Sequence, residues 1–225
     1  MTTRVEFKAK SGAPASGELS LPEGADKAPG LVLVQEWWGV NDHIRSLADR
    51  FAKEGFVVVA VDLYHGTVTK DFNEAGALMQ ALDGKQAMDD IAGAVAYLQA
   101  HARCNGKVGV TGFCMGGAYA FAATSALPEV GAAVPFYGIP PAERMDFTRM
   151  KAPILAHFAS RDGWAKPERA QEIVAAINAA GGSAAVEIYE ADHAFVNDTR
   201  PEVYVADAAK LAWDRSVKFL HQHLG

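Results

Sequence analysis

The sequence has few cysteines and no long hydrophobic run. Its two cysteines, Cys104 and Cys114, match no zinc-ligand spacing, and a chain of 225 residues needs no disulfide to hold its core. No apolar stretch approaches the roughly 20 residues of a membrane-spanning helix. The first residues, MTTRVEFKAK, lack the apolar segment of a secretory signal. These absences predict a cytoplasmic protein with reduced thiols and no metal.

Basic patches are also missing. The formal net charge is -6, and no run of Lys or Arg stands out in the chain. A nucleic-acid backbone or an anionic membrane surface would need such a patch, so neither is an expected partner. We expect a small-molecule substrate and a monomer or small homo-oligomer.

Apolar runs alternate with amphipathic ones along the whole chain. This rhythm predicts one α/β domain over 1–225 with a mainly parallel sheet. The stretch 138–141 resembles a domain boundary, but the strand rhythm continues across it. The predicted strands are 3–9, 15–22, 31–35, 56–61, 107–111, 130–136, 153–158 and 184–189. The predicted helices are 41–54, 71–81, 83–103, 115–126, 166–180 and 201–221, the last opened by Pro201.

The stretch KVGVTGFCMGGAYAFAATSA carries the most information. An apolar strand runs into a helix, and Cys114 stands at the junction with Gly112 two residues before it and Gly116 two residues after it. This G-x-C-x-G pattern is the thiol version of the nucleophile elbow of α/β-hydrolases. The bend would place the sulfur at a helix N-terminus, where the dipole favours a thiolate, and would aim the N–H of Met115 at a developing oxyanion.

Two other interpretations of the cysteines are possible. A free cysteine is most often a small buried hydrophobic residue, and Cys104, which has no companion motif, is interpreted in that way. The glycines at 109, 112 and 116 are too widely spaced for a dinucleotide-binding fingerprint. For Cys114 the strand, the glycine spacing and the helix agree, so catalysis is favoured.

An α/β-hydrolase needs an acid and then a histidine after the nucleophile in chain order. The strand PILAHF leads to Asp162, and the strand AAVEIYE leads to His193. Both residues therefore follow carboxyl ends of strands, where open parallel sheets bind ligands. Asp192 competes with Asp162, but a direct neighbour of His193 points the wrong way to orient its imidazole. The remaining histidines lie on helices, in the tail, inside a strand or before Cys114: His43, His65, His101, His157, His221 and His223.

The loop QEWWGVNDHIR follows the third predicted strand. Its Trp37 N–H is the candidate second donor of the oxyanion hole, beside that of Met115. Glu36 lies at the end of the same strand. Two interpretations of Glu36 stay open at this point, a surface glutamate and a buried acid that would need a partner.

Taken together, QEWWGVNDHIR, AVDLY, GFCMGG, SRDG and DHAF resemble the dienelactone hydrolase family, in order, along nearly the whole chain. The resemblance implies an α/β-hydrolase fold with about eight mainly parallel strands, helices on both faces and no cofactor. It implies a triad of Cys114, Asp162 and His193. It also implies that Glu36 contacts the resting thiol and is displaced when substrate binds.

The sequence departs from the family pattern at the substrate carboxylate. Typical members bind it with two arginines, one after the fourth strand and one shortly after the histidine. Here residues 65–81 contain Lys70 but no Arg, and Asn197 stands four residues after His193, with Arg200 three further on. We expect the pocket to be lined by Trp38, Tyr64, Phe195 and Arg200, although each of the three aromatic residues alone is more often ordinary packing.

Three functions remain at this stage. The leading one is a cysteine-dependent hydrolase of small esters or lactones, similar to dienelactone hydrolase (carboxymethylenebutenolidase). The missing arginines favour a general carboxylesterase or thioesterase acting on neutral substrates. A redox-sensing thiol protein is the alternative of another class, but a sensor does not need Asp162 and His193.

Overall fold

The computed structural model describes residues 2–24, 26–141 and 145–225, and these form an eight-stranded sheet flanked by six helices. The strands are β1 (Thr3–Lys8), β2 (Pro14–Ser20), β3 (Ala28–Val34), β4 (Val57–Val61), β5 (Cys104–Phe113), β6 (Val130–Phe136), β7 (Ile154–Ala159) and β8 (Ala184–Tyr189). The helices are α1 (Asp42–Lys53), α2 (Phe72–Ala81), α3 (Gly84–Ala100), α4 (Met115–Ala126), α5 (Pro167–Ala179) and α6 (Ala206–Leu224).

The strand order places one crevice at the carboxyl edge of the sheet. The order is β1-β2-β4-β3-β5-β6-β7-β8, with β2 antiparallel to both of its neighbours and all later pairs parallel. After β3 the chain forms β4 on one side of it and then crosses over to form β5 on its other side. Ligands of open α/β sheets bind at such a reversal of strand order. The predicted α/β-hydrolase architecture is confirmed.

Side chains along each strand point alternately to the two faces of the sheet, and this divides the core into two layers. Leu31 and Leu33 of β3 pack with α1 and α6 on one face, whereas Val32 and Val34 pack with α3 and α4 on the other. A third cluster joins α4 and α5 near β7. The central strands are buried on both faces, which explains why they read as continuous apolar runs in the sequence. Within the described parts of the chain, none of the helices is both long and apolar enough to cross a membrane.

The last helix begins later than predicted. It starts at Ala206, so Pro201 lies in a series of turns rather than at a helix start. Asn197 explains the difference, because its side-chain oxygen accepts from both the N–H and the hydroxyl of Thr199, at 3.1 and 2.7 Å. A local bond of this kind competes with helix formation. The turns continue with the N–H of Arg200 donating to the carbonyl of Asn197.

Gly116 joins α4 to the end of β3, and its lack of a side chain is required there. A Cβ at Gly116 would fall inside contact distance of the carbonyl oxygens of Val34 and Gln35.

We expect Gly116→Ala to lower the free energy of unfolding by about 1–3 kcal/mol, because rigid backbone has to move. The matched control is Gly76→Ala in α2, where a Cβ meets nothing within 4 Å. That control should raise stability by up to about 1 kcal/mol. Urea unfolding followed by circular dichroism measures both variants, and equal values for the two would contradict the prediction.

Candidate active site

Cys114 stands on a strained bend between β5 and α4. Its backbone has φ 55° and ψ -117°, a conformation that side-chain-bearing residues rarely adopt. The bend is held on both sides, because the Cys114 N–H donates to the carbonyl of Phe136 at 3.1 Å and its own carbonyl accepts from Ala118 N–H at 3.2 Å. Cys114 thus lies on a tight bend between a strand and a helix, as the G-x-C-x-G spacing predicts, and its role as nucleophile stays a prediction.

Glycines allow the neighbouring backbone segments to pack directly against this bend. A Cβ at Gly112 would collide with the carbonyl of Gly116, and a Cβ at Gly138 would collide with the carbonyl of Cys114. Gly117 lies equally close to the carbonyl of Phe136. The sulfur position therefore depends on three strand ends and one helix packed at backbone contact distance.

Asp162 is held rigidly in the loop after β7. One carboxylate oxygen accepts from the N–H groups of Trp164 and Ala165, at 2.8 and 2.9 Å. The other oxygen lies 2.7 Å from Nδ1 of His193. The Asp162 side chain has no exposed area, so its second oxygen is aimed at the imidazole alone. Two backbone donors thus fix the direction in which the acid orients its histidine.

His193 links the acid to the sulfur. Its side chain, 23 % exposed, is hydrogen-bonded to Asp162 on one side and interacts with the Cys114 side chain on the other. Burial lowers the pKa of His193, but the hydrogen bonds and charges of Asp162 and Cys114 outweigh it and raise that pKa to about 10. The structure therefore brings Asp162, His193 and Cys114 into one chain of contacts that favours the imidazolium.

Asp192 is not part of this chain of contacts. It forms a two-point ion pair with Arg161 at the surface, with nitrogen–oxygen distances of 3.1 and 3.2 Å. His193 therefore contacts Asp162 and not Asp192, and the role of Asp162 as the acid of a triad stays a prediction.

Glu36 is a buried acid, which decides between the two interpretations left open by the sequence. Only 2 % of the residue is exposed, and its Oε2 accepts from Nδ2 of Asn197 at 3.0 Å. Burial raises the pKa of Glu36 to about 7, although the charges of His193 and Arg200 and the Asn197 hydrogen bond each lower it. The family resemblance implies a contact between Glu36 and the resting thiol. In this structure Asn197 holds the carboxylate, and the Cys114 side chain interacts with His193.

The two proposed oxyanion donors belong to neighbouring elements. Met115 is the first residue of α4, where backbone N–H groups have no partner within the helix. Trp37 follows the end of β3, and that end packs on Gly116 through the carbonyls of Val34 and Gln35. The fold thus brings both segments to the sulfur, and their role as donors remains a proposal.

A cavity of about 390 Å³ opens beside the sulfur, and we call it the aromatic lobe. Trp38 and Arg200 line it, as expected from the sequence. Its other lining residues include Glu36, Trp37, Phe72, Met79, Cys114, Arg161, Trp164, Asp192 and His193.

Tyr64 and Phe195 were expected to line the pocket, and the structure places both in the core instead. The Tyr64 hydroxyl donates to the Met115 sulfur at 3.4 Å and is nearly buried. Phe195 has no exposed area and packs between the rings of Tyr137 and Tyr189. Tyr64 and Phe195 lie close in sequence to the motif residues, but their side chains are buried in the core.

Several residues of the site could not be predicted from the sequence. Nothing in the sequence indicates that Asn197 reaches Glu36 across 161 positions. Phe72 lies on α2, far from every motif. Trp164 follows Asp162 by two residues, and that loop position was the one available signal. Among the described residues, no group of three or more His, Cys, Asp and Glu side chains is arranged to hold a metal.

The burial of Glu36 makes stability depend on pH. The pKa of Glu36 is about 7 in the folded protein, and its ordinary value is 4.5. The unfolded chain therefore loses this proton at lower pH than the folded protein, and the free energy of unfolding falls as the pH rises from 4.5 to 7. We expect the stability of Glu36→Gln relative to wild type to rise by about 3 kcal/mol from pH 4 to pH 8, since the amide cannot ionise. Urea unfolding across this range measures the difference.

The control for this titration is Glu190→Gln, whose carboxylate is 89 % exposed. Its stability difference from wild type should change little with pH. A Glu36→Gln difference that is equally flat would contradict the burial of an ionisable Glu36.

Comparisons with known proteins agree with this geometry. Residues 16–224 match the model of the dienelactone hydrolase family. "Protein usf" of Aquifex pyrophilus is 33 % identical over 233 residues, and the "Putative carboxymethylenebutenolidase" of Aquifex aeolicus is 31 % identical over 234 residues. Both alignments cover all of each chain. A dienelactone-hydrolase-like promiscuous phosphotriesterase from metagenomic libraries has a TM-score of 0.85 at 24 % identity, covering 100 % of this chain and 99 % of that one, and so shares its fold.

The nearly complete family match and the full-length relatives above 30 % identity lead to one conclusion. The chain belongs to the dienelactone hydrolase family.

Proposed function

We propose that this protein hydrolyses small carboxylic esters or lactones, with Cys114 as the nucleophile and a covalent acyl-enzyme as intermediate. The observation that carries the proposal is the contact chain from Asp162 through His193 to Cys114 beside an open cavity. The carboxymethylenebutenolidase name of the Aquifex aeolicus relative supports the same reaction class.

The first half-reaction forms the acyl-enzyme. Cys114 gives its proton to His193, and the sulfur attacks the carbonyl carbon of the substrate. The N–H groups of Trp37 and Met115 stabilise the resulting oxyanion. When the carbon–oxygen bond to the leaving group breaks, the His193 imidazolium donates its proton to the leaving oxygen. Asp162 keeps the imidazole oriented and stabilises its charge throughout.

The second half-reaction releases the acid. A water molecule gives a proton to His193 and attacks the thioester carbonyl, and the thiolate leaves with the acyl group transferred to the water oxygen. Glu36 acts on this cycle through its charge, because it lies in the same cavity and His193 and Arg200 both act on its pKa. We propose that Glu36 regulates the charge around the thiol from its place on Asn197, rather than by contacting the sulfur at rest.

A general esterase that prefers neutral substrates is the second candidate. The two arginines of the aromatic lobe already have carboxylate partners: Arg161 pairs with Asp192, and Arg200 lies 2.8 Å from Glu202. A substrate carboxylate would have to compete with these partners and would also enter beside buried Glu36. Paired cations therefore favour an uncharged ester over an anionic dienelactone.

Replacing the nucleophile tests the reaction. Cys114→Ala is expected to lower kcat/KM for an activated ester by about 10³-fold or more, because no acyl-enzyme can form. Cys104→Ala is the matched control, since Cys104 is buried at a strand start and should leave the rate nearly unchanged. Steady-state hydrolysis of a p-nitrophenyl ester measures both variants, and rapid-quench mass spectrometry locates the acyl group.

Two results would contradict this assignment. One is a Cys114→Ala variant with wild-type turnover. The other is a wild type that reacts with iodoacetamide at Cys114 but forms no acyl adduct with any ester or lactone tested, which would favour the redox-sensing alternative.

A pair of substrates of similar size that differ in charge separates the two candidate specificities. We expect kcat/KM for a neutral aryl ester to exceed that for its carboxylate-bearing analogue by about 10-fold or more, because one unpaired charge costs at least this much. The anionic dienelactone is assayed beside them. Faster turnover of the anionic compounds would show that Arg161 or Arg200 releases its partner, and would favour the dienelactone assignment.

A further inference from the structure

Two cavities meet at the sulfur of Cys114. The aromatic lobe lies on one side, and a second cavity of about 380 Å³, which we call the neutral lobe, lies on the other. Each volume by itself lies in the range of cavities that hold small ligands. Cys114, His193, Met79 and Trp164 line both lobes, so the reacting atoms lie at the junction and not at the end of a single pocket.

The aromatic lobe owes its character to a cluster of rings. Trp37 contacts Trp38, Phe72 and Trp164 at centroid distances of 5.0, 4.7 and 6.3 Å, in each case near edge-to-face. These are the distances and angles at which aromatic rings attract one another. An aromatic ring of a ligand that enters this lobe can make contacts of the same kind with these side chains.

The neutral lobe has a different lining. Its walls include Leu82, Ala118, Tyr119, Ile139 and Pro141. Among the residues described there, none is Asp, Glu, Lys or Arg, so apart from His193 at the junction the walls of this lobe offer no charged partner to a ligand.

Three exposed apolar side chains line the two lobes, Trp164 and Met79 at the junction and Phe72 in the aromatic lobe. Trp164 is 74 % exposed, Phe72 57 % and Met79 37 %, and these are three of the eight large hydrophobic side chains that the described chain leaves exposed. Exposed apolar area is unfavourable in water and is favourably covered by an apolar ligand. The occupant of the junction is therefore apolar on the side that faces these three residues.

We propose that the substrate is a neutral, acyclic ester with two sizeable arms, an aromatic one in the aromatic lobe and an aliphatic one in the neutral lobe. The proposal rests on the proposed hydrolase function. An ester carbonyl has one substituent on its acyl side and one on its alkoxy side. When the carbonyl carbon lies over Cys114 at the junction, each substituent enters one lobe. A small monocyclic lactone carries both substituents in one ring and fills only part of this space.

A set of four esters tests the two arms: benzyl butanoate, benzyl acetate, methyl butanoate and methyl acetate. The set is repeated with the aromatic group on the acid side, as butyl and methyl phenylacetate beside butyl and methyl acetate. In one of the two sets, kcat/KM for the two-armed ester should exceed each one-armed ester by about 10-fold.

Two variants outside the catalytic machinery assign the lobes. Phe72→Ala should lower kcat/KM for aromatic esters by about 10-fold and leave methyl esters unchanged, with Phe72→Tyr as the control that keeps the ring. Ala118 is half-buried on α4, so Ala118→Leu fills the neutral lobe and should lower the rate for the long aliphatic arm alone. Ala118→Ser is its control of nearly unchanged volume.

The outcomes are distinguishable. Equal kcat/KM for all esters of both sets, or a loss on the same arm in both variants, overturns the two-armed substrate while leaving Cys114-dependent hydrolysis intact. Hydrolysis of benzyl butanoate that persists in Cys114→Ala overturns the proposed function itself. Separate losses on separate arms, both abolished with Cys114, support the proposal.

Discussion

The site depends on the packing of backbone against backbone at one strained bend. Cys114 adopts a positive φ because β5 ends where α4 begins, and the glycines at 112, 116, 117 and 138 allow neighbouring carbonyls to approach within contact distance. Strain of this kind persists only where the surrounding structure over-determines it. Here the surroundings are the ends of β3, β5 and β6, and the same contacts bring the segment of Trp37 to the start of α4. The sulfur and the two proposed oxyanion donors are therefore positioned by a single set of contacts.

Electrostatics around the bend follow from burial and from where each partner lies. Asp162 is aimed by two backbone N–H groups at His193, and that pair supports a positive imidazole beside the sulfur. Glu36 brings a second acid into the same space, where burial raises its pKa to about 7. Asn197 occupies the place at which the family resemblance leads one to expect an arginine. The amide of Asn197 brings no charge to the carboxyl, and burial raises the pKa of Glu36 more than Asn197, His193 and Arg200 together lower it.

Much of the fold and of the triad arrangement could be predicted from particular residues. The G-x-C-x-G spacing imposes its geometry locally, and the buried runs of β4 and β5 indicate parallel strands without reference to anything distant. Chain order predicted that the acid and the histidine follow later strands, and the adjacency of Asp192 to His193 was the reason to prefer Asp162; Asp192 pairs with Arg161 at the surface. The start of the last helix was wrong because Asn197 bonds locally to Thr199 and keeps Pro201 in a turn.

The sequence by itself determined the bend at Cys114, the family and the strand ends from which the acid and the histidine come. These features depend on local backbone sterics and on chain order, both of which are written in consecutive residues. Only the tertiary structure decided that Glu36 is buried against Asn197, that Phe195 and Tyr64 point into the core, and that Phe72 and Trp164 face the sulfur. Those outcomes depend on which distant segments pack together, and no neighbouring residue in the sequence records that packing.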